Sequence, residues 1–414
     1  LSQPALKNYI PALTGVRAMA AYLVFISHWG YVLDDYFPQS VQKFLREFHI
    51  GVTIFFVLSG FLIAFRYYDN FSLSKLWFKK YLKNRVARIY PMYAILTTGA
   101  FIYYAFTHAA AIVGGLQPVV AYLMNIFFLR GFFSDLKFTG ISQGWSLTVE
   151  ECFYFSAPFM FYFARKYGKA WLQPFVITGT GALLVLIFRN VNFYGFFGNF
   201  TFMMLFTFLG RCFEFFAGIM LALYIKKKGV VRTHNFKFTY LGFVLIFVCV
   251  WVMSILPILP GNEFGQQHPL GIITNNYLLA IAITLFFYGL ITEDGTILKG
   301  ILANKFVELL GKSSYIFYLI HLGYMYNMLS FSVNWLNDAV NKLYDKWGVD
   351  WVSPFQNDHL NLLYLFVTLN GIAILLFKNI EEPLNHYIRR SDFLVPNMPR
   401  NPDNDANLNK LDRD

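Results

Sequence analysis

Of the chain's 414 residues, 57 % are apolar and 14 % charged, against about half apolar and a quarter charged in soluble domains. That excludes a soluble globular enzyme, a disordered chain and a coiled coil. The net charge of +11, from 34 Lys and Arg against 23 Asp and Glu, together with 48 Phe and 27 Tyr, fits a membrane bundle with basic loops. Nucleic acid is not the expected partner.

Ten apolar runs are long enough to cross a bilayer: 12–33, 50–66, 88–107, 145–164, 172–189, 202–225, 238–257, 275–291, 306–329 and 360–380. No small-residue cleavage site follows the first run, so it is expected to be a resident helix rather than a signal peptide. An eleventh stretch, 119–133, is short and ends in Leu129-Arg130-Gly131. The positive-inside rule decides its role. Basic loops lie at 66–88, at 165–169 and at 226–237. All three fall on the cytoplasmic side only if 119–133 does not cross. The expectation is an all-α polytopic bundle of about ten spanning helices with both termini cytoplasmic. Its membrane domain covers 1–390, and an Asn-, Asp- and Pro-rich cytoplasmic tail at 391–414 is expected to be disordered. The longest outer loop is expected at about 330–359. Cys152, Cys212 and Cys249 sit in apolar runs with no metal-site spacing.

Ionisable residues inside a membrane are costly and are functional candidates by default. Arg17 and His28 are 11 residues apart on the first helix, on one face and about 16 Å apart along the axis. Arg17 is either functional or an interfacial anchor; His28 is either a base or a packing histidine. In the second helix Ser59-Gly60 permits close helix approach, and a catalytic Ser59 is the sharper alternative. Arg85 and Arg88, at i and i+3, share a face at the mouth of the third helix. Two guanidinium forks there suit phosphates, or they form a plain basic flank. The fourth helix opens Gly144-Trp145-Ser146-Leu147-Thr148-Val149-Glu150. Its Glu150 is expected at the depth of His28, where a carboxylate would orient the imidazole. Arg211 and Glu214 share a face and are expected to pair structurally. His321 in the ninth helix is a second cavity residue or a packed one. The layout suits a phosphate-bearing donor entering from the cytoplasm, with His28 as base on an acceptor hydroxyl.

Five segments then carry a resemblance. They are Pro11-Ala12-Leu13-Thr14-Gly15-Val16-Arg17-Ala18 with His28, Phe55-Phe56-Val57-Leu58-Ser59-Gly60-Phe61, and Arg85-Val86-Ala87-Arg88-Ile89-Tyr90-Pro91. The last two are Trp145-Ser146-Leu147-Thr148-Val149-Glu150, and Leu310-Gly311-Lys312-Ser313-Ser314-Tyr315 with Leu319-Ile320-His321. In this order, over about 8–390, the chain resembles the acyltransferase-3 family of integral membrane acyltransferases, which includes O-antigen and exopolysaccharide O-acetyltransferases. Val16 stands where Leu is common. The resemblance implies acyl-CoA, often acetyl-CoA, as donor substrate. It also implies no permanently bound cofactor or metal, and a glycan or lipid-linked sugar hydroxyl as acceptor. The expected location is the bacterial cytoplasmic (inner) membrane. Some members carry a fused extracytoplasmic hydrolase-like domain, for which these 414 residues leave no segment.

The expected catalytic set is His28, Glu150 and Arg17. The expected donor contacts are Arg85, Arg88, Ser59 and Tyr315. In this reading Arg85 and Arg88 hold the CoA phosphates, and the pantetheine arm runs past Arg17. His28, oriented by Glu150, deprotonates the acceptor or relays the acyl group. Arg17 is alternatively an oxyanion stabiliser. The rival class is a transporter or flippase of lipid-linked sugars, which the lack of an evident internal repeat weakens. A longer or succinyl acyl group and a lipid or peptide acceptor stay open within the enzyme class.

Overall fold

In lipid, every backbone polar group must be satisfied within the protein, so long apolar runs fold as helices unless they close a barrel. The computed structural model, which describes residues 9–348 and 353–394, is helical throughout; its extended pairing is confined to two isolated bridges among the described residues. In chain order the helices are α1 (Pro11–Trp29), α2 (Gln39–Arg46), α3 (Gly51–Tyr67), α4 (Lys75–Thr107), α5 (Pro118–Ile126), α6 (Trp145–Tyr167) and α7 (Gln173–Phe188). Then come α8 (Phe200–Phe206), α9 (Phe208–Lys228), α10 (Lys237–Ile255), α11 (Pro269–Ile273) and α12 (Leu279–Thr292). The last five are α13 (Ile297–Leu302), α14 (Lys305–Ile320), α15 (Tyr324–Trp347), α16 (Asp358–Leu376) and α17 (Glu382–Arg390). A π-helical turn joins α11 to α12 at Thr274–Leu278, and another joins α16 to α17 at Phe377–Glu381.

Among the described residues, eight helical stretches are long and apolar enough to cross a membrane: Pro11–Tyr36, Gln39–Tyr67, Lys75–Thr107, Ala170–Phe188, Phe200–Lys228, Lys237–Ile255, Pro269–Thr292 and Asp358–Arg390. The protein is an integral membrane protein. Two expected spans differ. The α6 helix has 23 residues, but Glu150 and Glu151 in its second turn lower its apolarity. The 306–329 run breaks at His321–Gly323, where Gly323 takes a left-handed φ of 79° that suits glycine.

Other boundaries also move. The basic segment expected as a loop at 66–88 is mostly the start of α4, capped by the Ser74 side chain on the Trp77 N–H. Arg85 and Arg88 therefore project from a formed helix. The 202–225 run is interrupted at Thr207, between α8 and α9. The outer loop expected at 330–359 is largely the helix α15. Segment 119–133 folds into the nine-residue α5 followed by a short 3-10 turn. At 1.5 Å per residue α5 is about 13 Å long, short of a bilayer's ~30 Å. From residue 395 on, the expected tail lies outside the described residues.

Close helix contact sets the centre of the bundle. The α3 and α9 backbones approach through Gly60 and Gly218: a Cβ on Gly60 would lie 2.1 Å from the Phe215 carbonyl oxygen, and one on Gly218 2.0 Å from that of Val57. Ser59-Gly60 thus does permit the approach expected of it. The rings of Phe56, Phe215 and Phe153 stack in succession, with centroids 4.7 and 4.3 Å apart, which ties α6 to the same pair. The expected Arg211–Glu214 pair is there, with Nε 2.8 Å from the carboxylate and both residues buried.

Candidate active site

A cavity lies between α1, α3, α4, α6 and α14. Its walls include Arg17, Ser59, Arg85, Arg88, Glu150, Tyr154, Ser146, Tyr315 and Tyr318. Six of the seven residues singled out from sequence therefore meet in one place. The α6 contribution follows from helical spacing: Ser146, Glu150 and Tyr154 recur every four residues, which stacks them on one face.

The Glu150 carboxylate accepts from the Ser59 hydroxyl at 2.5 Å and from the Tyr154 hydroxyl, both on the same oxygen. Arg85 is held between two rings, with its guanidinium carbon 5.4 Å from the Tyr67 centroid and 5.6 Å from that of Tyr154. Its Nη2 donates to the Tyr67 hydroxyl at 3.2 Å, which also accepts from Asn84. Stacking of this kind fixes a planar cation while keeping its charge. Tyr315 donates to the Ile89 carbonyl at 2.9 Å, so its hydroxyl tethers α14 to α4 and its ring forms the wall.

A second, basic vestibule shares Arg17, Arg85 and Arg88 with this cavity. Arg66, Lys312, His386 and Arg389 complete it, along with the acids Glu381 and Glu382. Lys312 also pairs with Glu308 at 2.7 Å. Vestibule and cavity thus form two connected stations, with the three arginines at the junction.

His28 stands apart. It lies in the last turn of α1 and is exposed. The expected pairing with Glu150 is not what the structure builds: the described bonds of Glu150 go to Ser59 and Tyr154, in a cavity whose lining does not include His28. The partner of His28 is instead His321, with Nε2 of His321 3.4 Å from Nδ1 of His28. His28 Nδ1 also lies 2.8 Å from the Val24 carbonyl, and His321 Nδ1 2.7 Å from that of Tyr318. A carbonyl only accepts, so both Nδ1 atoms carry the proton. The described bonds of His28 all use Nδ1, which leaves Nε2 as the basic nitrogen.

Polar contacts join the two places. Ser146 and the Tyr318 hydroxyl lie 2.9 Å apart, and both donate to the Gln143 carbonyl. The Gln143 side-chain amide lies 3.4 Å from His321 Nδ1, and the Trp29 indole donates to the His321 carbonyl. The α5 region clamps this corner. Buried Arg130 donates to the Ile141 carbonyl, and Thr148 donates to the Phe128 carbonyl at 2.8 Å. Sequence reasoning passed over Tyr154, Tyr318 and Gln143. The four-residue spacing around Glu150 was the signal for Tyr154; Gln143, in a turn, had none.

A family model described as an acyltransferase domain matches residues 10–378. The chain belongs to the acyltransferase-3 family. It is similar to the acyltransferase MdmB of Streptomyces mycarofaciens, 28 % identical over 169 residues, which cover 38 % of this chain and 40 % of that one. It is also similar to a Staphylococcus aureus (strain COL) protein named "Putative O-acetyltransferase SACOL0978", 23 % identical over 336 residues, 76 % of this chain and 50 % of that one. A third relative is the peptidoglycan O-acetyltransferase OatA of Listeria monocytogenes, 26 % identical over 186 residues, 43 % of this chain and 28 % of that one. The chain thus spans half or less of the length of these relatives. No solved structure matches it.

Proposed function

We propose that the chain is a membrane O-acyltransferase. It takes an acyl group, acetyl in the first instance, from acyl-CoA arriving at the basic vestibule, and gives it to a hydroxyl of a cell-surface or periplasmic glycan at the His28 end. The observation that carries this reading is the continuity of the arginine-lined vestibule and cavity, joined by Tyr318, Ser146 and Gln143 to a histidine pair, in a chain of an acyltransferase family.

Each step asks one thing of a named group. Arg85 and Arg88 hold donor phosphates with charge-assisted hydrogen bonds. The pantetheine arm passes Arg17 into the cavity. His28 Nε2 takes the proton of the acceptor hydroxyl, whose oxygen attacks the acyl carbon. The C–S bond breaks, and the proton returns to the leaving thiolate. Arg17, whose buried Nε has no hydrogen-bond partner among the described residues, is placed to steady charge on the thioester oxygen. His321 holds the His28 ring. Glu150 orders Ser59 and Tyr154 in the cavity wall rather than orienting His28.

The test is transfer of label from radiolabelled acetyl-CoA to envelope polysaccharide, in membranes carrying wild type or His28→Ala at matched expression. Label with wild type and its loss with His28→Ala is the expected result. No transfer from wild type to any glycan overturns the proposal. Full activity of His28→Ala overturns the role of His28.

A further inference from the structure

One group in the vestibule has no part in that mechanism. Glu381 is 3 % exposed and lines the vestibule wall. Neither of its carboxylate oxygens has a hydrogen-bond partner among the described residues, and none of the ion pairs within 4.0 Å includes it. The charged groups that act on it are Arg88, Arg17 and Glu382, and both arginines also line the inner cavity. So Glu381 lies on the vestibule wall, within the field of two arginines that the vestibule shares with the cavity. A buried, unpaired acid among cations is costly to keep.

Its placement follows from the sequence. Pro383 has no N–H, and its ring crowds the carbonyl of Asn379, four residues back. The helix answers with a π turn at Phe377–Glu381 before α17 begins. Such turns recur at functional sites because they re-aim a side chain.

The site therefore has an order of polar groups. Cations and the acids Glu381 and Glu382 line the vestibule, the Glu381 carboxyl group offers two unpaired oxygens there, and a mixed cavity follows. Phosphates suit the cations, and N–H or O–H donors suit the unpaired oxygens. A ligand matching this order carries phosphates at one end, a neutral segment with N–H or O–H donors in the middle, and the reacting group at the other. We infer that Glu381 is a specificity-determining residue that accepts hydrogen bonds from the amide and hydroxyl groups of the donor's pantetheine arm. Those contacts fix how far the arm runs, so that the thioester reaches the cavity in register. This inference rests on the acyl-CoA reading above.

Three probes separate its parts: CoA, pantetheine, and adenosine 3′,5′-bisphosphate, which carries phosphates but no arm. Their binding to the purified full chain in detergent is measured by calorimetry for wild type, Glu381→Ala and Glu381→Gln. Loss of one or two hydrogen bonds to the arm corresponds to about tenfold in affinity. Glu381→Ala is expected to weaken pantetheine and CoA by about that factor and leave the bisphosphate within about twofold. Glu381→Gln, which keeps an acceptor oxygen, is expected to recover most of the loss. If Glu381→Ala weakens the bisphosphate as much as pantetheine, Glu381 merely shapes the vestibule and the inference is wrong. It is equally wrong if all three probes bind as before. If wild type binds neither CoA nor the bisphosphate, the acyl-CoA reading itself fails.

Discussion

The buried Arg211–Glu214 pair permits a prediction with a worked magnitude. Arg211 is 2 % and Glu214 0 % exposed. Besides Glu214, Arg211 donates to the Leu205 carbonyl at 3.1 Å and to the Thr53 hydroxyl at 2.9 Å. Glu214→Leu strands the guanidinium without a counter-charge. Breaking a buried pair costs about 3–5 kcal/mol, and a lone charge at the bilayer centre costs about 2.5–3.5 kcal/mol on insertion scales. The two meet near ~3 kcal/mol. The double variant Arg211→Met with Glu214→Leu removes both charges. Thr53 keeps its bond to Asn275 at 3.2 Å, so the main residual cost is the Leu205 carbonyl, about 1 kcal/mol. The double variant should therefore be more stable than the single by about 2 kcal/mol. Titrating dodecyl maltoside micelles with SDS and following the folded fraction reads this directly. If the double variant loses as much as the two single variants added together, the pair is not coupled and the reasoning fails.

If, as proposed, Arg85 and Arg88 hold phosphate and not the reacting carbon, Arg85→Ala with Arg88→Ala should raise the Michaelis constant for acetyl-CoA about 100-fold with a much smaller change in kcat; an unchanged constant removes their phosphate role. Glu150→Gln should leave the pH profile of kcat in place, because its hydrogen bonds go to Ser59 and Tyr154; a displaced limb would restore a His28–Glu150 pairing. Gly60→Val should yield no monodisperse protein on size-exclusion chromatography, because its Cβ would lie 2.1 Å from a backbone oxygen that cannot move aside.

What could be seen in the sequence was whatever depends on local spacing. The apolar runs placed most helices, and three-residue spacing paired Arg211 with Glu214. Three-residue spacing also places Arg85 and Arg88 on one face of α4. What could not be seen depends on where helices stop. Nothing in the 202–225 run announces the break at Thr207, and the run through His321 reads as one helix until Gly323 ends it. The separation of Glu150 from His28 is likewise not legible in the runs. Glu150 lines the cavity with Arg17, which stands 11 residues and about 16 Å along α1 from His28, so the expected equal depth does not hold. In the folded bundle α6 turns Glu150 toward α3, where Ser59 meets it, while α14 supplies the partner of His28.

The helix ends also take over part of the role expected of Glu150. His28 sits in the last turn of α1, and His321 caps the C-terminus of α14. A helix C-terminus carries about half a negative charge on its unpaired carbonyls, worth roughly 0.3–1 kcal/mol to a nearby cation and up to about 2 kcal/mol where partly buried. Two such ends converge on the imidazole pair, and the carbonyls of Val24 and Tyr318 hold both Nδ1 protons. Orientation and partial negative charge, the two services a carboxylate would provide, are both supplied by backbone. The carboxylate is thereby released to the cavity wall, where Ser59 and Tyr154 use it. In the proposed mechanism that division would keep a full negative charge away from the acceptor oxygen, which gains negative charge as His28 takes its proton.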